Sequence, residues 1–409
     1  MMFGSDVSSV PTWSPGPVAP PAGAPAARPL VIAHRGASGY RPEHTLESYR
    51  VAIALGADYV EPDLVVTADG VLVARHENEI GATTDVAAHP RFADRRTTRA
   101  VAGRQVTGWF VEDFSLAELK MLRARERLPH LRAHNRTYDG RFDVPTFDEI
   151  VDLVLAESRR EGRLIGVYPE IKQPSHFAAL GLRHEGPLLA SLRRAGTHLP
   201  AYIQSFDAGA LRALASQTTV PLVQLVGSDD DLLTPRGLRE VSTYAQVLGP
   251  RKDLVGPRDG AGGAAGLVDR AHEAGLSVHV WTFRNENAFL APVDRRGSEV
   301  AAFGDAPGEY ARFLSLGVDG VFTDHPDTAR SAVAAQPSQR RHQSRESDGD
   351  EQNGCRHLEA WQSEDVEVHE GPHQAHSHEE KAEHQRDDVD VMALHGAPRC
   401  FRCRGRGRV

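Results

Sequence analysis

Long hydrophobic runs are missing from this sequence. No stretch approaches the roughly 18 to 20 consecutive apolar residues needed to cross a bilayer, so no transmembrane helix is expected. Cysteine is scarce: Cys355, Cys400 and Cys403 all lie beyond residue 350, so the part that can fold needs no disulfide and suits either redox compartment. There is no excess of positive charge either. A net charge of −9 argues against a nucleic-acid partner, because such proteins neutralise phosphates with a basic face. A small phosphate ester remains a reasonable partner. Met1 to Pro29 is rich in Pro, Ala, Ser and Gly and lacks the basic opening and the roughly 7 to 15 residue apolar stretch of a secretory signal.

What is present is an alternation. The 409 residues are 40% hydrophobic and 25% charged, as in ordinary globular chains, and α/β barrels commonly take about 250 residues as one unit. Between Leu30 and Arg330, short β-branched runs alternate with longer helical patterns, the signature of βαβ units on a parallel sheet. Strands are expected at Leu30 to His34, Asp58 to Leu64, Leu164 to Ile171, Ala201 to Ser205, Pro221 to Val226, Tyr244 to Leu248, Ser277 to Thr282 and Val318 to Thr323. Val71 to Arg75 follows after only a four-residue turn, Thr67 to Gly70, too short for the dozen or so residues of a parallel crossover, and reads as the return arm of a hairpin. Helices are expected at Leu46 to Leu55 with Thr45 as N-cap, at Thr146 to Arg159 with a Thr146/Glu149 capping box, and at Gly266 to Ala274.

The fold class is therefore α/β: a (β/α)8 TIM barrel over residues 30–335, preceded by a flexible Pro/Ala-rich segment, residues 1–29. An inserted subdomain, about residues 80–144, follows the second strand and its hairpin. It carries a helix pattern at Ser115 to Arg123 with a Ser115/Glu118 capping box, and either a lid role or plain structural decoration fits it. Residues 336–409 turn to Gln, His, Glu, Asp and Arg and cannot bury enough apolar area to offset their conformational entropy, so a disordered tail is expected. Its histidines (His369, His373, His376, His378) and the lone Cys400/Cys403 pair are weak metal signals against a solvated low-complexity reading.

Chemistry-bearing residues gather at the predicted C-terminal ends of strands, where barrel enzymes build their sites. His34-Arg35-Gly36 follows the first strand, an imidazole that can move a proton beside a guanidinium that can grip two phosphate oxygens. In Glu61-Pro62-Asp63 the period of two puts both carboxylates on one face, where they repel; a hard divalent cation resolves the conflict, and a pair of salt bridges is the structural alternative. Glu170-Ile171-Lys172 places an acid and a base on one face of the third strand. Glu170 could complete an oxygen-rich Ca²⁺ or Mg²⁺ site and Lys172 could neutralise phosphate, or the two could simply pair. His76 ends the return arm at the same rim. Glu43 lies just before a helix, where it could touch the metal, orient Arg35 or serve the helix N-terminus. Phe206 and Trp281 end later strands and could wall a small organic group or pack in the core.

Together with Pro42-Glu43-His44-Thr45 and the closing Gly317-Val318-Asp319-Gly320-Val321-Phe322-Thr323-Asp324-His325-Pro326, these segments resemble the glycerophosphodiester phosphodiesterase family from about Leu30 to Ala329. Within the insert, Gly108-Trp109-Phe110 and Leu116-Ala117-Glu118-Leu119 resemble the bacterial periplasmic or secreted branch, whose members generally use Ca²⁺. The resemblance implies metal ligation by Glu61, Asp63 and Glu170 and a general acid and base pair of His34 and His76. It also implies a phosphate held by Arg35 and Lys172, with Glu43 in support. Two positions depart from the family: His44 stands where Asn is usual, and Glu77 follows His76 where Asp is usual. The resemblance further implies export although no signal is visible, so either the start has been shortened or this member stays in the cytoplasm; the Pro-rich stretch before Arg28 reads as a linker that follows something and leans toward a truncated or misassigned export signal.

The expected reaction is metal-dependent hydrolysis of glycerophosphodiesters to glycerol 3-phosphate and an alcohol. One histidine would deprotonate the adjacent glycerol hydroxyl while the other protonates the leaving alkoxide; a cyclic phosphate would form and be opened by water. Direct attack by water is the simpler rival route. A phospholipase D-like enzyme acting on lysophospholipids or sphingolipids is the alternative within the class, and a noncatalytic phosphodiester-binding barrel the alternative outside it.

Overall fold

A computed structural model describes residues 28–101, 103–228, 231–255 and 266–336. The histidine-rich tail, its Cys400/Cys403 pair and the segment before residue 28 lie outside the described residues. Among the described residues no helix is long and apolar enough to cross a membrane.

The expected strands form a closed TIM barrel. The first, Leu30–His34, pairs in parallel with the second, Tyr59–Glu61, and with the eighth, Gly320–Thr323. The second continues past Pro62 as Asp63–Val66; the third runs as Gly166–Val167 and Glu170–Ile171. Proline cannot donate to a ladder, yet the Pro62 carbonyl still accepts from the Glu170 N–H at 2.9 Å, so the break costs the sheet little. Ile203–Ser205, Leu222–Val226, Val247–Pro250 and Ser277–Phe283 complete the ring, each parallel to its neighbours. The return arm, Leu72–Ala74, pairs antiparallel with Asp63–Val66.

Helices coat the outside. Phe147–Glu161 shows why such a segment becomes one: Thr146 and Glu149 form the reciprocal capping box, and Phe147, Ile150, Val151 and Val154 recur at helical spacing and are buried against the sheet. Gly162 ends it at φ 65°, a left-handed conformation that costs glycine nothing. Truncating Ile150 to Ala would cost about 2 to 5 kcal/mol. Leu46–Ala54 and Leu267–Glu273 match their expected positions, and the Thr45 side chain caps the former by accepting from the Ser48 N–H.

Two local expectations need correction, and one element was not expected. The sixth strand starts at Val247 instead of Tyr244, because the Tyr244 and Ala245 N–H groups both bond to the Val241 carbonyl and finish the preceding helix. The insert helix keeps its Ser115/Glu118 capping box but spans only Leu116–Leu119. The insert also contains an antiparallel hairpin, Thr97–Val101 with Arg104–Gly108, that the sequence does not announce, since its residues are mostly polar and exposed and lack an apolar alternation.

Side chains fill the barrel interior. Ile32, Tyr168, Val223, Leu225, Val247 and Phe322 form a buried apolar floor. Two residues beyond Ile32, Tyr168 and Phe322 the same strands reach the charged mouth at His34, Glu170 and Asp324.

Candidate active site

Register puts the site together. On adjacent strands His34 lies beside Glu61, Asp63 beside Glu170, and Glu170 beside Gln204. Glu61, Asp63 and Glu170 each present an oxygen within 4.8 Å of the others, all three residues being buried. Burial and the carboxylates of Asp63 and Glu170 push the Glu61 carboxyl well above its usual range. Burial acts on Asp63 too, but Lys172 and the His44 hydrogen bond outweigh it and hold that carboxyl well below. Crowding of this kind is what a bound cation would relieve. Asp63 Oδ1 is buried without a hydrogen-bond partner, and Lys172 Nζ is 3.7 Å away. Three hard oxygen donors, one of them unsatisfied, fit a Ca²⁺- or Mg²⁺-type ion.

The turn after the first strand explains the His-Arg-Gly run. Arg35 and Gly36 have φ of 58° and 87°, and a Cβ on Gly36 would lie 2.3 Å from Ser48 Oγ and 2.8 Å from that residue's backbone. This tight reversal aims the Arg35 N–H at Glu61 Oε2, 2.7 Å away. The Arg35 guanidinium donates to Glu43 Oε2 at 3.0 Å and lies 3.3 Å from Asp63. Glu43 therefore sits behind Arg35, outside the carboxylate trio. Lys172 Nζ is 2.9 Å from Glu170, so the acid and base of the third strand do pair, inside the same cluster.

Both histidines rest on carboxylates. His34 Nδ1 is 2.6 Å from Asp324 Oδ1, and His76 Nδ1 is hydrogen-bonded to Glu77. Burial, then the Arg35 charge, lowers the His34 pKa against the opposing pull of Asp324, so His34 is neutral near neutral pH. Burial alone would raise Asp324, but Arg284 and Arg132 hold it well below the carboxylate range. Arg127 and His76 do the same for Glu77. The two departures from the family pattern are accommodated. Glu77 reaches His76, and His44 bridges Tyr49 Oη at 2.8 Å and Asp63 Oδ2 at 2.9 Å, its own pKa pushed down to about 4 chiefly by burial.

Phe206 and Trp281 meet edge to face at 5.7 Å, both half-buried, with Trp281 Nε1 donating to the Gly249 carbonyl at 2.7 Å. Sequence reasoning missed several polar partners. Asp324 ends the eighth strand, so the strand-end logic that found Glu61 could have found it. Gln204, whose Nε2 donates to Glu61 Oε1 at 3.1 Å, stands near the end of the fourth strand, where the same logic applies. Arg127, Arg132 and Arg284 carried no signal.

Residues 34–328 match the model of the glycerophosphoryl diester phosphodiesterase family. The chain belongs to that family. As a member of the glycerophosphodiester phosphodiesterases it is a phosphoric diester hydrolase. It is 36% identical to glycerophosphodiester phosphodiesterase GDPD6 of Arabidopsis thaliana, covering 73% of this chain and 84% of the relative. It is 28% identical to the glycerophosphodiester phosphodiesterase of Haemophilus influenzae, over 73% of this chain and 88% of that one. Among solved structures, a Silicibacter pomeroyi protein assigned to the same activity superposes with a TM-score of 0.55 at 25% identity, over 76% of this chain and 95% of that one. An Oleispira antarctica phosphodiesterase in complex with its product sn-glycerol-3-phosphate shares the fold, with a TM-score of 0.53 at 21% identity and coverages of 75% and 98%.

Proposed function

We propose that the barrel of residues 30–335 hydrolyses glycerophosphodiesters to glycerol 3-phosphate and an alcohol, with Glu61, Asp63 and Glu170 holding a divalent cation, Ca²⁺ or Mg²⁺, and His34 and His76 dividing acid and base work. The observation that carries the reading is the pair of imidazoles, each resting through Nδ1 on a carboxylate, at the rim that holds the carboxylate trio. The activity printed for the relatives and the product bound by the Oleispira protein support the substrate class.

When bound, the cation supplies positive charge against the phosphate and Lewis-acid polarisation. The chain's own residues do the rest. With Nδ1 committed to a carboxylate, each imidazole offers Nε2 for proton transfer, and the carboxylate sets its tautomer and orientation. His34, its pKa lowered, suits the base that takes the glycerol hydroxyl proton as that oxygen attacks phosphorus, and His76 the acid that protonates the leaving alkoxide; water then opens the resulting cyclic phosphate, the two histidines exchanging roles, to give glycerol 3-phosphate. Arg35, steadied by Glu43, and Lys172, with one of its three N–H donors used on Glu170, face the phosphate. Phe206 and Trp281 wall the alcohol.

The test is release of glycerol 3-phosphate from glycerophosphocholine and glycerophosphoethanolamine, with Ca²⁺, with Mg²⁺ and with chelator, by the wild type, Glu61→Ala and His34→Ala. Metal-dependent release abolished by both substitutions is expected; full activity in chelator would sink the cation assignment, and full activity of His34→Ala the acid and base assignment.

A further inference from the structure

The insert enters the mouth at two points five residues apart. Arg127 Nε and Nη2 donate to the two oxygens of Glu43, each at 2.7 Å, and its Nη1 and Nη2 donate to those of Glu77 at 3.0 and 2.6 Å. Glu77 is the carboxylate that holds His76. Arg132 Nη2 donates to Asp324 Oδ2 at 2.6 Å, and Asp324 is the carboxylate that holds His34. Arg132 also donates through Nε to Glu286 at 2.7 Å and through Nη1 to the Ser38 carbonyl at 3.0 Å.

The segment between them is built to hold these positions. Leu128 and Leu131 are buried, Glu126 accepts from the Leu128 N–H at 2.8 Å and from Asn135 Nδ2 at 2.9 Å, and Asn135 also donates to the Ser38 carbonyl. Ser38 in turn donates to the His34 carbonyl, so the insert is tied to the turn that carries the first histidine. Side chains of Arg127 and Arg132 are only 10% and 6% exposed. At that burial a forked guanidinium–carboxylate contact fixes geometry as well as charge.

We infer that Arg127 and Arg132 are positioning residues through which the insert aims both histidines, Arg127 acting on His76 through Glu77 and Arg132 acting on His34 through Asp324. The inference rests on the histidine pair assigned under the proposed function. The two clamps are unequal. Asp324 keeps Arg284, 2.9 Å away, when Arg132 is removed, whereas Arg127 is the guanidinium that grips both oxygens of Glu77. Arg127 is therefore the more costly to lose.

A double-mutant cycle on the full-length, cation-saturated enzyme separates this from a merely structural role, because groups acting through one another lose rate non-additively. Glycerophosphocholine, whose alkoxide leaving group needs the acid, is the substrate, with released choline accumulated over long incubations so that residual rates stay measurable. Expected is a fall in kcat of roughly 100-fold for Arg127→Met, with a lesser rise in KM because Glu43, which steadies Arg35, is released too, and a smaller fall in kcat for Arg132→Met. In a His76→Ala background the kcat cost of Arg127→Met should shrink at least about tenfold, leaving what passes through Glu43 and Arg35, while in a His34→Ala background it should keep nearly its full factor. Arg127→Lys, which keeps the charge and loses the fork, should fold even if the Met variant does not, and should still lose kcat. Equal losses in wild-type and His76→Ala backgrounds, or a loss confined to KM or to thermal stability, would overturn the inference. A wild type that cleaves neither glycerophosphocholine nor glycerophosphoethanolamine would overturn the functional reading and the inference together.

Discussion

The floor and the mouth of the barrel are made by the same strands two residues apart, and they are chemical opposites. Ile32 leads to His34, Tyr59 to Glu61, Tyr168 to Glu170 and Phe322 to Asp324, because successive same-face side chains repeat every second residue. Below, Tyr168 meets Phe322 edge to face at 5.1 Å, and even the imidazole there, His279, is kept neutral: burial pushes its pKa down to about 4 while Tyr168 hydrogen-bonds its Nδ1 at 2.8 Å. Above, buried carboxylates crowd one another and are balanced by guanidiniums, a lysine and the proposed cation. Burial is nearly equal in the two layers. In the floor it removes apolar surface from water and stabilises; in the mouth it strengthens every electrostatic interaction, which serves a reaction at a cost to the empty fold.

That contrast can be broken. Neutralising one mouth carboxylate, Glu61→Gln, should lower hydrolysis by about 10³-fold or more, since Lewis-acid stabilisation is worth several kcal/mol. The same change should raise the melting temperature of the chelated protein, because it relieves carboxylate crowding. A variant that stays active, or melts lower without cation, contradicts the division. The mirror experiment is Phe322→Ala in the floor. Urea unfolding should show a loss of about 3 to 5 kcal/mol, with kcat per folded molecule changed by no more than a few-fold.

A smaller effect comes from acid. His279 has a folded pKa of about 4 against its ordinary 6.5, so its contribution to stability is complete above the higher value and is lost as pH falls through the lower one. His184, also pushed to about 4 by burial, tilts the same way. At most about 3 kcal/mol should vanish across that window for His279, read as a shift of the urea midpoint, and His279→Gln should flatten it. An unchanged pH slope in that variant would mean that the floor imidazole is not held neutral. Smallest is the cation itself. At a concentration of about 100 times Kd it should add about 2.7 kcal/mol to wild-type stability and nothing to Glu61→Gln. Equal stabilisation of the two proteins would place the ion elsewhere.

Much of the fold was legible because its signals are local. Leu30–His34 coincides with its expected limits, and the hairpin arm follows from a turn too short for a crossover. The insert was harder to read. Its hairpin is polar on both faces, so it lacks the alternation that marks a strand against a core, and its capped helix stops after four residues although the cap itself was visible.

The sequence alone determined the barrel, its strand order and the candidate residues at strand ends, because strand periodicity and turn spacing put His34, Glu61, Asp63 and Glu170 on one rim wherever the helices settle. Only the tertiary structure decided what stands behind the histidines. Arg127 reaches Glu77 across 50 positions and Arg132 reaches Asp324 across 192, along a path set by how an irregular loop packs. A contact between distant charged side chains leaves no periodicity in the chain; it exists once burial has made an unpaired charge too costly and the fold has brought a partner within reach.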